Sequence, residues 1–208
     1  MDSLTEEALL ALLKLLGGSI DLSFDKNWLL CTAAEKGYTT VVEFLLNAPA
    51  VDPSVPNNWS IQIAAENGHV KVVSLLMGDT HVDPSAEHNM AIYCAAEANN
   101  VPLVKALLTD PRVNPCDSWC PAVQIAVENG CDEVLAVLLK DIRVDPTANG
   151  LEILVWACKA LQASTVKILL DDPRVSSERI DDAKFYKWSL KHLFYGDIWE
   201  MLHDAQMW

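Results

Sequence analysis

An all-α solenoid of stacked helix-turn-helix repeats is the fold class this sequence predicts, and three observations predict it. The first is a fixed period. Val51-Asp52-Pro53 recurs as Val82-Asp83-Pro84, Val113-Asn114-Pro115 and Val144-Asp145-Pro146, each 31 residues after the last. Degraded copies stand at Ile20-Asp21-Leu22 and Val175-Ser176-Ser177. The second is a small helix residue in step with that period, at Ala33, Ala64, Ala95, Ala126 and Ala157. The third is a recurring helix terminator, Gly37, Gly68, Asn99 and Gly130. A period of this length marks units that cannot each bury a core alone and must stack on their neighbours.

The elements follow in order. Ser3-Leu4-Thr5-Glu6 fits a capping box, with Ser3 as the N-cap and Glu6 reaching back. A leucine-rich helix to about Leu16 follows, and residues 1–19 are expected to cap the first repeat. A docking helix, resembling a truncated ligase-adaptor box, is the alternative; only the leucine content speaks for it. The run is interrupted by Lys14 and preceded by Asp2, Glu6 and Glu7. It therefore reads neither as a secretory signal nor as a bilayer span.

Five repeats are expected at 20–50, 51–81, 82–112, 113–143 and 144–174. In the second, Val51-Asp52-Pro53 begins an extended segment and Pro56-Asn57-Asn58 signals a turn. Trp59 to Glu66 form a short helix, which Gly68 ends in a left-handed conformation. Val70 to Met77 form a second helix with Val72, Val73, Leu75 and Leu76 as its buried stripe. The aliphatic pair recurs as Leu45-Leu46, Leu107-Leu108, Leu138-Leu139 and Leu169-Leu170. Pro102 falls at the start of a second helix, where its missing N–H does no harm. The fifth repeat has Leu161 in place of the terminating glycine, and its loop is expected to differ, because the left-handed conformation costs about 1–2 kcal/mol there. Residues 175–208 read as a diverged cap. Seven of the fifteen aromatic residues fall in the last 24 positions, and the expectation is that they fill the cap's own core.

Ala64-Ala65-Glu66-Asn67-Gly68-His69-Val70-Lys71-Val72-Val73 resembles the core of the ankyrin repeat, as do Ala33-Ala34-Glu35-Lys36-Gly37 and Ala126-Val127-Glu128-Asn129-Gly130. The resemblance covers about residues 20–174. It implies an ankyrin-type solenoid whose hairpin tips and first helices form a concave groove for a protein partner. The Thr-Pro-Leu-His signature is absent, replaced by Trp59-Ser60-Ile61-Gln62 and Met90-Ala91-Ile92-Tyr93. The threonine–histidine bonds at the hairpin base should therefore be missing, and because the period is 31 residues against the family's usual length of about 33 the hairpins should be shorter. The shortened repeat looks like expansions common in protists, fungi and large DNA viruses.

Composition narrows the function. The 208 residues carry a formal net charge of −14, and 51% of them are hydrophobic. That opposes binding to nucleic acid or an anionic membrane and fits either solubility or a basic partner surface. The six cysteines occupy six different repeat positions. Cys116 and Cys120 have a tolerable metal spacing, with Cys131 as a third ligand, but no histidine lies near them. Buried or incidental thiols in a reducing compartment, cytoplasm or nucleus, are the better reading, and neither metal nor cofactor is expected. No phosphate loop, nucleophile elbow or paired-histidine motif is present, so no enzyme is expected. His69 should hydrogen-bond within its loop. Asp52, Asp83 and Asp145 should bond nearby backbone N–H groups, with Arg112, Arg143 and Arg174 offsetting their charge.

What remains is a surface. The resemblance places Asn57, Asn58, His88, Asn89, Asp117, Ser118, Trp119 and Asn149 at the tips, and Glu66, Glu97 and Glu128 at the ends of first helices. Trp28, Trp59 and Met90 share one repeat position, and the expectation for them is packing at the hairpin base. Trp119 lies off that row and is the expected hot spot. The function expected is a non-catalytic scaffold or adaptor, and an effector on host proteins if the source is a pathogen or virus. The alternative is self-assembly through the aromatic C-terminal end, with Trp199 and Trp208 as contacts; a monomer is otherwise expected.

Overall fold

Each first helix stops where the chain must reverse, and the reversal is a repeated hydrogen-bond pattern. In the computed structural model, which describes residues 5–16, 21–117 and 119–175, with the side chains of 26, 149 and 150 excepted, eleven helices account for the fold. The chain divides into two compact units, Met1–Asn114 and Pro115–Trp208. The first holds α1 (Glu6–Leu16), α2 (Phe24–Lys36), α3 (Thr39–Leu46), α4 (Trp59–Glu66), α5 (Val70–Met77), α6 (Ala86–Glu97) and α7 (Val101–Leu107). The second holds α8 (Pro121–Glu128), α9 (Asp132–Leu138), α10 (Ala148–Lys159) and α11 (Ala163–Leu170). No strand occurs among the described residues.

The reversal is built around the recurring alanine. The carbonyl of Ala33 accepts from the Tyr38 N–H at 2.9 Å, that of Ala64 from His69 at 2.9 Å, and that of Ala95 from Asn100 at 2.9 Å. Ala126 and Ala157 do the same with Cys131 and Gln162, at 2.8 and 3.1 Å. This six-to-one bond closes only if the intervening residue is left-handed. Gly37, Gly68, Asn99 and Gly130 supply φ values of 71°, 75°, 51° and 65°. Leu161 supplies 56°, so the fifth loop keeps the common conformation rather than departing from it. The bonds that close the loop outweigh the cost of crowding one leucine Cβ.

The side chain after the terminator reaches back to the preceding repeat. His69 Nε2 lies 2.9 Å from the Glu35 carbonyl, and its ring lies over Gly37, where a Cβ would meet it at 2.6 Å. Gln162 Nε2 donates to the Glu128 carbonyl at 3.4 Å in the same way.

Packing follows the repeat. In the first unit α2, α4 and α6 pack in sequence, α3, α5 and α7 form a second layer, and α1 lies against α3. In the second unit α8 packs on α10 and α9 on α11. The recurring alanines are buried, as are Val82, Val113 and Val144 and the aliphatic residues of the second helices. Small residues at the crossings let neighbouring helices approach closely, so one apolar stripe per helix suffices for burial.

The links between repeats are polar. Asp52, Asp83 and Asp145 each accept from the backbone N–H two residues on, at 3.0, 2.9 and 2.8 Å, and from that residue's hydroxyl, as the turn chemistry predicts. The arginines pair most closely with other carboxylates, while Asp83 and Asp145 still attract Arg112 and Arg174. Arg112, Arg143 and Arg174 fork onto Asp110, Asp141 and Asp172, the carboxylates two residues before them. Arg112 also donates to the Val82 carbonyl at 2.9 Å. Arg174 donates to the Val144 and Leu139 carbonyls at 2.9 and 2.7 Å. Arg112 and Arg174 thus clamp the end of a repeat to its own first residue, and Arg174 also reaches Leu139 of the repeat before.

The N-terminal helix departs from the expected capping box. Ser3 lies outside the described residues, and Thr5 accepts from the Ala8 N–H at 3.4 Å. Glu6 turns away from its own helix; its carboxylate accepts from the Thr40 N–H and hydroxyl at 2.7 and 2.9 Å. It thereby caps α3, whose first N–H groups have no partner within the helix.

Candidate interaction surface

Residues at one repeat position share one environment when their helices stack, and two such rows reach the surface of the first unit. Trp28, Trp59 and Met90 stand on α2, α4 and α6 and are 59%, 45% and 38% exposed. The expected packing at the hairpin base is thus overturned. Ile61, Ala64 and Ala65 fill the inward side of α4, and the equivalent residues fill that of α6, leaving no room for the larger side chains. Phe24 and Val55 add exposed apolar surface at another shared position.

The second row is acidic. Glu35, Glu66 and Glu97 stand in the last turns of α2, α4 and α6 and are all exposed. Glu35 occupies the same repeat position as the other two, and the period alone identifies it as a missed member of the row. Cys94 lies half-buried in the neighbourhood of Glu66 and Glu97. Burial, reinforced by these two carboxylates, pushes its thiol up to about 11, so it is a neutral, unreactive group at neutral pH.

Between α4 and α6 runs a cleft of about 350 Å³ lined by Pro56, Asn57, Trp59, Gln62, Glu87 and Met90. Gln62 is buried, and its amide donates to the Asn57 carbonyl at 2.8 Å. Residues Glu87, His88 and Asn89 have φ values of 51°, 58° and 62°, so α6 is regular only from Met90 onward. This left-handed entry leaves Glu87 and His88 exposed and turns Asn89 inward.

Asn58 and Asn89 need reassignment. Asn58 accepts from the Asp83 N–H at 2.7 Å, and Asn89 from the Asn114 N–H at 2.8 Å. Asn27, one repeat earlier, donates to the Asp52 carbonyl at 2.8 Å. All three are left-handed, a conformation that asparagine tolerates, and all three tie a turn to the next repeat's extended segment. Asn89 is only 4% exposed, which leaves it no surface for a partner. The 31-residue spacing of Asn27, Asn58 and Asn89 was the signal for a scaffold role. Asn57 remains exposed.

In the second unit, Trp119 is 73% exposed at a loop beside α8. Cys116 and Cys120, on either side of it, form a disulfide. This corrects the expectation of free thiols for this pair alone; Cys31, Cys94, Cys131 and Cys158 are free, the last two buried. Cys120 holds the left-handed position that Asn27, Asn58 and Asn89 hold earlier, and its backbone turns it back toward Cys116. Asp117 is half-buried, and Glu128 is exposed and accepts from Gln124 at 2.8 Å. Ser118, Trp199 and Trp208 lie outside the described residues, as does the side chain of Asn149. Among the described residues no group of three His, Cys, Asp or Glu side chains is placed to hold a metal ion. No described helix is long and apolar enough to cross a membrane.

Comparison with known proteins agrees with this architecture. The family model described as "Ankyrin repeats (3 copies)" matches residues 30–117 and 91–181. No curated protein matches the sequence. Among solved structures, the chain is similar to the ankyrin repeat domain of Bcl-3, a protein titled a unique member of the IkappaB family. The TM-score is 0.57 at 24% identity, over 68% of this chain and 69% of that one. Such a likeness shows the fold. Ankyrin repeats generally mediate protein–protein interaction and act as non-enzymatic modules. The family match spans most of the repeats whose loops, turns and stacked helices are described above, and the chain belongs to the ankyrin repeat family.

Proposed function

We propose that this chain is a non-catalytic interaction scaffold that docks a protein partner on the exposed face of α2, α4 and α6. The observation that carries the reading is the exposed row Trp28, Trp59 and Met90. Large apolar side chains held in register at the surface mark interaction sites, because each loses contact with water once a partner covers it. Tryptophans dominate such surfaces energetically. The flanking Glu35, Glu66 and Glu97, with the net charge of −14, favour a partner presenting a basic surface. Trp119 offers a second contact in the other unit.

The test begins with affinity capture on the full chain from the source cell and identification of the captured protein by mass spectrometry. Affinities are then measured for the Trp28→Ala, Trp59→Ala, Trp119→Ala and Glu97→Lys variants. Replacing Trp28 or Trp59 should cost about 2 kcal/mol, roughly 30-fold in Kd, with an unchanged helical circular dichroism spectrum. Glu97→Lys should mainly slow association and flatten its salt dependence. Wild-type affinity in both the Trp28 and Trp59 variants would remove this face from the reading.

A further inference from the structure

The cleft between α4 and α6 combines groups that select one kind of side chain. Trp59 presents an indole that is nearly half exposed, and Pro56 and Met90 add apolar surface beside it. The one ionised group in the lining is Glu87, which is exposed and meets no hydrogen-bond or ion-pair partner among the described residues. The Gln62 amide is already held by the Asn57 carbonyl at 2.8 Å. The lining therefore offers an aromatic face, aliphatic surface and a carboxylate, and no cation.

We propose that this cleft receives an arginine side chain of the partner, its guanidinium stacked on Trp59 and paired with Glu87, its methylenes against Met90 and Pro56. The proposal rests on the docking face described above and specifies its chemistry. A guanidinium is planar, permanently charged and weakly hydrated, so it can lie flat on an indole and still donate to a carboxylate. Lysine carries a compact and strongly hydrated charge, which is costlier to seat against apolar walls. A purely apolar side chain would cover the cleft beside an ionised Glu87 and strip water from it without compensation. An anion would meet Glu87 in the cleft and Glu66 and Glu97 farther along the same two helices. At about 350 Å³ the cleft suits one long side chain rather than a folded domain.

The test titrates the full chain with four capped tripeptides, glycine–X–glycine, where X is arginine, lysine, citrulline or norleucine. Binding is followed through the indole N–H resonances in a nitrogen-correlated NMR spectrum, with Trp59→Phe identifying the signal of Trp59. The arginine peptide should move the Trp59 signal. Citrulline, which keeps the shape and loses the charge, should bind at least tenfold more weakly, and norleucine likewise. Glu87→Gln should weaken the arginine peptide at least fivefold, and added salt should weaken it further. Equal binding by citrulline or norleucine would overturn the proposal, as would an unaffected Glu87→Gln variant or a Trp59 signal unmoved by millimolar arginine peptide. The two readings fail differently. A cleft that prefers norleucine removes the arginine and keeps the docking face, whereas partner affinity indifferent to Trp28 and Trp59 removes the face itself.

Discussion

Leu161 shows how strongly neighbours govern a single residue in a repeat. Its φ of 56° belongs to the conformation that glycine supplies at Gly37, Gly68 and Gly130. A non-glycine residue there costs about 1–2 kcal/mol, part of which glycine would return as greater freedom of the unfolded chain. Leu161 is 53% exposed, so its removal forfeits little burial. Leu161→Gly should therefore raise stability by about 0.5–1 kcal/mol, read as a higher urea midpoint at unchanged slope. A lowered midpoint would mean that the leucine packs more than its exposure implies. The identity of Leu161 is plain in the sequence, but its conformation is not. It is imposed by two bonds, Leu161 N–H to the Cys158 carbonyl and Gln162 N–H to the Ala157 carbonyl, at 3.2 and 3.1 Å. The same holds for Asn58 and Asn89. Their turn propensity was legible, and the partners of their side chains, 25 residues downstream, were not.

At the scale of the element, the helices were legible because their punctuation is local. Trp59–Glu66 and Val70–Met77 stand where the apolar spacing and Gly68 place them. Pro102 sits in the first turn of α7, behind the Asn100 cap whose side chain accepts from the Leu103 N–H at 3.1 Å. The ties between elements were harder to read, since charge complementarity names a pair only when distance is known. Arg174 illustrates the consequence. It holds Asp172, the Val144 carbonyl at the start of its own repeat and the Leu139 carbonyl of the repeat before. Arg174→Met should cost about 1.5–3 kcal/mol, because the carbonyls lose a charged donor. Arg174→Lys should recover little of that, since a point charge cannot fork onto three acceptors. Urea denaturation of the two variants gives the comparison, and full rescue by lysine would reduce the role to charge alone.

At the scale of the whole molecule, the carboxylates set the response to acid. Hydrogen bonds from Arg112, Arg143 and Arg174 hold Asp110, Asp141 and Asp172 below the ordinary carboxylate range, and Ser54 does the same for Asp52. A carboxylate lowered in the folded state binds fewer protons there than when unfolded. Its stabilisation is present above about pH 4 and fades as pH falls through the lowered value. Urea midpoints should accordingly hold between neutral pH and about pH 5 and fall steeply below pH 4, and replacing Asp110, Asp141 and Asp172 by asparagine should shallow that fall. The sequence by itself determined the period, the helix pairs and the ankyrin architecture. Each of these rests on signals within a few residues or on repetition, and both can be read along a line. Only the tertiary structure decided which members of a periodic row face water. Trp28, Trp59 and Met90 carry the same periodic signature as the buried alanines, because a repeat marks every equivalent position alike whether it points inward or outward. Direction is set by packing: the small residues of each first helix take the inside, and the larger side chains are left on the surface.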